Sequence, residues 1–408
     1  MLNPWPVVAA DIRRSRAGFL AVVGLVAVAV ALGVAVSAQE RALRIGSARA
    51  ADAFDLLVGA PGSPTQLVLT TVYLQPAALP LVPGTVLARL QEEPGAAYVA
   101  PIAFGDRYRD YPVVGSTTAF VTLGGTCAPT EGRVFASERE VVVGAAVGLR
   151  VGDRFAPSHG AAAPTAAAGD KDTDNDHHDV EYTVVGRMPR TGTPWDRAII
   201  APVEAVWRVH GLPTGHASAE RIGPPWDGPA VAGVPAVVVK PRTVADAYKL
   251  RGKYRVDGTT ALFPAEVLVD LYSLLGDARD LLAAISVATQ ALVIAAVLLA
   301  VFASLALRRR QLAVLRALGA SRRYVCAVVW THVSLMIALG CALGLGVGWA
   351  GAAALSTALS ARTGIALSAT LASREVVMAA AVVVIGMLLA GIPSWFSYRE
   401  SVSAGLRS

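Results

Sequence analysis

The sequence predicts a membrane α-helical protein with four transmembrane helices and a large α+β extracytoplasmic domain inserted between helices 1 and 2. Three observations carry that expectation. Of the 408 residues, 54% are hydrophobic and only 16% charged, against about 25% charged in an ordinary soluble domain. The apolar residues pile up at the two ends of the chain. Between them, from 39 to 280, the composition changes to short β-branched runs punctuated by Gly and Pro, the pattern of strands. The net charge of +6 sits largely beside the apolar spans, so it reads as membrane topology and not as nucleic-acid binding. Three cysteines, Cys127, Cys326 and Cys341, are too scattered for a disulfide framework, a CxxC redox pair or a thiolate zinc site.

Residues 1–16 form a basic cytoplasmic N-terminus containing Arg13, Arg14 and Arg16. The first span, 17–38, carries no charge and meets the roughly 20 residues needed to cross the hydrocarbon core. Val36-Ser37-Ala38 also fits a signal-peptide cleavage site, but the apolar run exceeds the usual h-region, which favours an uncleaved anchor. The second span covers 281–307, the third 324–356 and the fourth 376–396, with a cytoplasmic segment at 308–323, a short external loop at 357–375 and a cytoplasmic C-terminus at 397–408. Arg308, Arg309, Arg310, Arg316, Arg322, Arg323, Arg399 and Arg407 then all face the cytoplasm, as the positive-inside bias requires. Within 39–280, strands are expected at Phe54–Val58, Tyr98–Ala100, Glu140–Val143, Tyr182–Val185, Ala198–Ile200 and Ala236–Val239. Thr243 is placed to cap a helix running to Leu250, and Leu262–Leu275 reads as a helical stalk leading to the second span.

The segment Leu307–Tyr324 carries the most specific chemistry. Leu312, Leu315 and Leu318 recur at helical spacing, Arg308, Arg309, Arg310, Gln311, Arg316 and Arg322 surround them, and Gly319 breaks the helix before Ser321 caps the next. A basic cluster alone would serve only to fix orientation. The apolar stripe adds a face suited to a groove on a cytoplasmic partner. In the third span, Gly340, Gly344 and Gly348 repeat at four-residue intervals, which permits close helix approach either within the chain or across a dimer. His332 is the one histidine inside a span; it marks a functional candidate or a simple hydrogen bond to a neighbour. In the loop 166–181, Asp170, Asp172, Asp174, Asp176 and Glu181 fall at positions 1, 3, 5, 7 and 12 of a calcium-loop register, while His177, His178 and Asp179 suit zinc. The plainer reading is a solvated acidic insertion. GxSxG, HExxH and a Rossmann fingerprint are all absent, so no catalytic site is expected.

RRRQLAVLRALGASRRY resembles the signature of FtsX-like and MacB-like permeases of ABC transporters, whose usual form reads REIAILRALGAS after the second span. The order of parts is similar too: one N-terminal helix, a large outer domain, three C-terminal helices. Val143–Asp153 with Tyr182–Gly186 resembles the core of that outer domain, and Arg399–Ser408 its common ending. Gln311 stands where the family has glutamate. The resemblance implies a permease homodimer in the bacterial inner membrane, bound to a separate ABC ATP-binding subunit that holds ATP and Mg. It also implies coupling to that subunit through 308–323, and leaves room for a periplasmic adaptor or binding protein. The chain has no GxxxxGK[ST] phosphate loop, consistent with ATP hydrolysis in another subunit and no cofactor here. Export or extraction of a cargo is the first expectation. A regulatory mechanotransmitter without cargo and a metal-linked transport system are the alternatives.

Overall fold

In the computed structural model, the described residues are 3–75, 77–159, 180–218, 221–226, 230–256, 258–274 and 319–391, with isolated positions between 276 and 295. They divide into two compact units. A helical body holds residues up to Arg44, from Leu275 to Ala358 and from Leu367 onward, and a globular body holds Ile45–Leu274 with Leu359–Ala366.

The helices, in chain order, are α1 Trp5–Arg14, α2 Arg16–Ala51, α3 Pro64–Thr71, α4 Gly84–Gln91, α5 Thr118–Val121, α6 Val203–Val209, α7 Val244–Tyr254, α8 Pro264–Leu274, α9 Arg322–Thr363 and α10 Ser373–Leu389. The strands are β1 Leu56–Gly59, β2 Ala96–Tyr108, β3 Tyr111–Ser116, β4 Glu131–Gly132, β5 Glu140–Val143, β6 Arg154–Phe155, β7 Ser158–His159, β8 Tyr182–Arg187, β9 Ile199–Pro202, β10 Ala236–Pro241 and β11 Thr260–Leu262. Each of the six strand runs read from the sequence overlaps a strand, although β1 begins only at Leu56 and β9 only at Ile199. Thr243 caps α7 by accepting from the Asp246 N–H at 3.1 Å.

The strands join in the order β11-β1-β10-β2-β3-β9-β5-β8-β4. The pairs β3/β9 and β5/β8 are parallel. Strand β2 holds the two halves together: Ala96–Ile102 pairs with β10, and Ala103–Tyr108 pairs with β3. Both faces of the sheet are covered, which explains runs such as Val141-Val142-Val143 that do not alternate with polar residues. In β1, Leu57 enters one core while Leu56 and Val58 enter another; in β10, Val238 parts from Val237 and Val239 in the same way. In β5, Val142 joins the first core and Val141 and Val143 join a third. That alternation is the two-residue period of the pleat. Helices α3, α5 and α8 cover the first core through Leu67, Val68, Phe120, Val121, Val267 and Leu268. Helices α4, α6 and α7 cover the second through Leu87, Leu90, Trp207, Leu250 and Tyr254.

One ion pair fastens α7 beneath this sheet. Glu93 accepts from Lys253 and, at 2.6 Å, from the Tyr254 hydroxyl. Burial raises the Glu93 carboxyl pKa, but these two donors outweigh it and hold the group below its ordinary value. A carboxyl depressed on folding contributes stability above its unfolded value, about 4.3, and loses it as pH falls through the folded value. The full-length protein should therefore lose stability below about pH 4.3, and Glu93→Gln should flatten that part of the slope. Identical melting-temperature profiles for the two proteins between pH 6 and pH 3 would contradict this.

In the helical body, α2 and α9 are long and apolar enough to cross a membrane. The span at 281–307 lies outside the described residues for the most part, and α10 is 17 residues long. Both long helices outrun their apolar stretches. The sequence places span boundaries at 38 and 356, where the apolar run ends, whereas α2 continues to Ala51 and α9 to Thr363. The reason is local. Residues 39–51 are mostly Ala, Arg, Gln and Glu, which are strong helix formers, and Ala50 and Ala51 are buried in the first globular core.

Candidate transmission site

The helical body is built on a close seam between α2 and α9. A methyl group at Gly340 would lie 2.6 Å from Val26 Cβ and 3.0 Å from the Val23 carbonyl oxygen. At Gly344 it would lie 2.7 Å from the Ala27 carbonyl oxygen, and at Gly348 2.6 Å from that of Ala31. A bonded side chain cannot sit that close, so the three glycines let the two backbones approach. Val26, Val30 and Val34 of α2 fill the seam, with Val333, Ile337 and Cys341 of α9 and Ala379 and Val382 of α10 around them. Gly340, Gly344 and Gly348 thus face a helix of the same chain.

The second feature is a polar latch on the segment before α10. The Glu375 carboxylate is fully buried and its partner Arg41 is only 17% exposed. Glu375 Oε1 accepts from Arg41 Nη1 and from the Ser37 hydroxyl, each at 2.7 Å, and Oε2 accepts from the Ala372 N–H at 2.8 Å. Arg41 Nη2 also donates to the Thr370 carbonyl. One carboxylate therefore ties α2, the 370–372 segment and the start of α10 together. Two further bonds act nearby: Ser356 Oγ donates to Gln39 Oε1 at 3.0 Å, and Trp349 Nε1 to the Ala369 carbonyl at 3.3 Å. Farther along the body, His332 Nδ1 is 3.6 Å from the Asp11 carboxylate, and its ring meets Phe19 edge-on at 5.8 Å.

The third feature belongs to the globular body, which includes the last turn of α9. Arg197 Nη1 donates to the Ala361 carbonyl at 2.5 Å, and the Ala366 N–H donates to the Gly192 carbonyl at 2.8 Å. Gly364, at φ +75°, turns the chain against Pro194, and Ile365 packs on the first core. The receiving loop is stiffened by Asp196, 4% exposed, whose carboxylate accepts from the Thr191 N–H, the Thr191 hydroxyl and the Gly192 N–H at 2.7 to 2.8 Å.

At its other end α9 starts where the sequence places the break. Gly319 has φ +101°, and Ser321 Oγ accepts from the Tyr324 N–H at 3.2 Å. Arg322 is the first residue of the helix and is exposed. Arg308, Arg309, Arg310, Gln311, Leu312, Leu315, Arg316 and Leu318 lie outside the described residues. So do Asp170, Asp172, Asp174, Asp176, His177, His178 and Asp179. Glu181 is described and lies 3.5 Å from Arg154 Nη1. Among the described residues, no three His, Cys, Asp or Glu side chains gather as a metal site. His210 bonds the Val206 carbonyl and His216 lies against Glu204. The latch escaped sequence reasoning because an acidic residue in a first helical turn is already accounted for by the helix dipole. Its one signal is Arg41, a cation just past the first apolar run.

The chain thus combines two helices long and apolar enough to cross a membrane with a large mixed α/β body. Residues 283–402 match the family described as FtsX-like permease C-terminal. Among solved structures, the periplasmic region of MacB from Actinobacillus actinomycetemcomitans aligns with 55% of this chain and 95% of its own, at 8% identity and a TM-score of 0.33. The extracellular domain of the noncanonic ABC-type transporter YknZ from Gram-positive bacteria aligns with 51% of this chain and 98% of its own, at 11% identity and a TM-score of 0.30. No curated protein sequence matches the chain.

Proposed function

We propose that this chain is the permease subunit of a MacB-like ABC transporter in the bacterial inner membrane, and that it passes the ATP-driven motion of a separate ATPase to an extracytoplasmic domain for export or extraction of a cargo. One observation carries the reading: α9 is a single helix of 42 residues. It begins three residues after Gly319, at the end of the basic segment 308–323, and its last turn is held in the globular body by Arg197, with Ala366 just beyond it bonded to Gly192. At about 1.5 Å per residue it is about 63 Å long, roughly twice the hydrocarbon thickness. Helix α2, with 36 residues, is a second rod of the same kind, about 54 Å long. A displacement applied at one end of such a rod reaches the other without passing through a loop. The FtsX-like match supports a partner ATPase, which holds ATP and Mg, and a permease dimer completes the assembly.

The docking of that ATPase on 308–323 is testable. Leu312, Leu315 and Leu318 should lie in a groove of the ATPase with Arg316 and Arg322 at its rim, because a free amphipathic helix would expose its apolar stripe. Leu315→Asp would bury an unpaired carboxylate, at a cost of several kcal/mol, enough to release a partner held with about micromolar affinity. The variant should insert and keep its globular domain folded, yet fail to co-purify with the ATPase or to stimulate its turnover. Normal complex formation with normal turnover would rule the docking role out.

A further inference from the structure

We propose that the cavity beside the tip of α9 in the globular body is a binding site for a monoanionic amphiphile, an acidic head on arginines and an apolar tail on the adjoining wall. The cavity measures about 730 Å³, within the roughly 300–1,000 Å³ range of ligand sites. Leu74, Phe104, Pro112 and Pro194 give it an apolar side, and Arg107, Arg197 and Arg362 bring three guanidinium groups to it. Arg107 Nε is buried and makes no hydrogen bond among the described residues, a donor that an acceptor in the cavity would satisfy. Arg197 spends one donor on Ala361 of the five a guanidinium has. Arg362 is exposed on the last turn of α9. Two carboxylates share the wall: Asp110 is exposed, and Asp106 is 3% exposed and already partnered. Three cations against two anions leave one positive charge in excess, which selects a single negative charge on the ligand. Planar guanidinium forks match a carboxylate or phosphate head, while the apolar wall rewards a hydrocarbon tail. Because Arg362 and Thr363 line the cavity, an occupant touches the helix assigned above to transmission. The site itself goes beyond that assignment and needs no ATPase.

The test is calorimetric titration of octanoate into the full-length protein in phosphatidylcholine nanodiscs, with empty discs subtracted. Saturable binding is expected, about tenfold or more weaker for 1-octanol and lost for octylammonium. The double variant Arg107→Gln/Arg362→Gln should bind octanoate about tenfold or more weakly at an unchanged melting temperature. Arg362→Glu, on an exposed turn, should weaken binding in the same direction if the double variant folds poorly. Octanoate binding no greater than that of empty discs, equal binding of octanol, or undiminished binding by both variants would overturn the proposal. Repeating the titration in phosphatidylglycerol discs identifies the source, and both results uphold the site. Competition by the lipid means a lipid headgroup, and unchanged affinity means a free amphiphile.

Discussion

Gly344→Leu should be strongly damaging to the helical body. The new Cβ would start 2.7 Å from both the Ala27 carbonyl oxygen and Val30 Cβ, and the backbone oxygen cannot rotate away as a side-chain tip can. Helix α9 would have to back off from α2, and Gly340 and Gly348 would lose their contacts with it. Overpacking at one such position costs about 1–3 kcal/mol, and loss of dispersion along the opened seam adds to it. The total is a large share of the roughly 5–15 kcal/mol that holds a typical protein folded. Gly346→Leu supplies the control. Among the described residues nothing lies within 4 Å of a Cβ there, and replacing a helical glycine should gain up to about 1 kcal/mol. In detergent melts monitored by circular dichroism, Gly344→Leu should fall well below wild type and Gly346→Leu should match or exceed it. If the two variants melt together, the seam is not a close contact.

The second large effect is expected at the latch. Glu375→Ala would leave the Arg41 guanidinium, the Ser37 hydroxyl and the Ala372 N–H without their shared acceptor. Breaking a buried ion pair from one side costs about 3–5 kcal/mol. Arg41→Met should be comparably harmful because it strands the carboxylate. The double replacement Arg41→Met/Glu375→Met should cost less than either single change, since no buried charge remains unpaired. Arg374→Ala, next in sequence but exposed, should be near neutral. Additive losses in the double variant would show that Arg41 and Glu375 act independently.

Much of this architecture was legible in the sequence because it rests on strong periodic signals. Uninterrupted apolar runs mark α2 and α9, and β-branched runs bounded by Gly and Pro mark β5, β8 and β10. Thr243 three residues before Asp246, and Ser321 three before Tyr324, announce helix starts through cap chemistry. The four-residue spacing of Gly340, Gly344 and Gly348 announces close approach, but spacing cannot say which helix approaches. Only the positions of Val26, Val30 and Val34 decide that. The ends of α2 and α9 were not legible, because hydropathy stops at the lipid boundary and helical hydrogen bonding does not. The latch was equally hidden: Arg41 and Glu375 are 334 residues apart, and nothing local to either one names the other. The cavity draws its arginines from β2, the turn before β9 and the tip of α9, a convergence that exists only once the sheet has formed.

The length of α9 above its glycine seam also sets an angular phase. Each residue advances a helix by about 100°, so a single insertion between Gly348 and Ala361 would swing the carbonyl that meets Arg197 to the far side of the rod. It would move that carbonyl outward by only about 1.5 Å. An insertion of seven residues would nearly restore the angle, about 20° short of two full turns, while lengthening the rod by about 10 Å. The angle at which the last turn of α9 meets Arg197 is therefore more sensitive than its reach to any change in residue count.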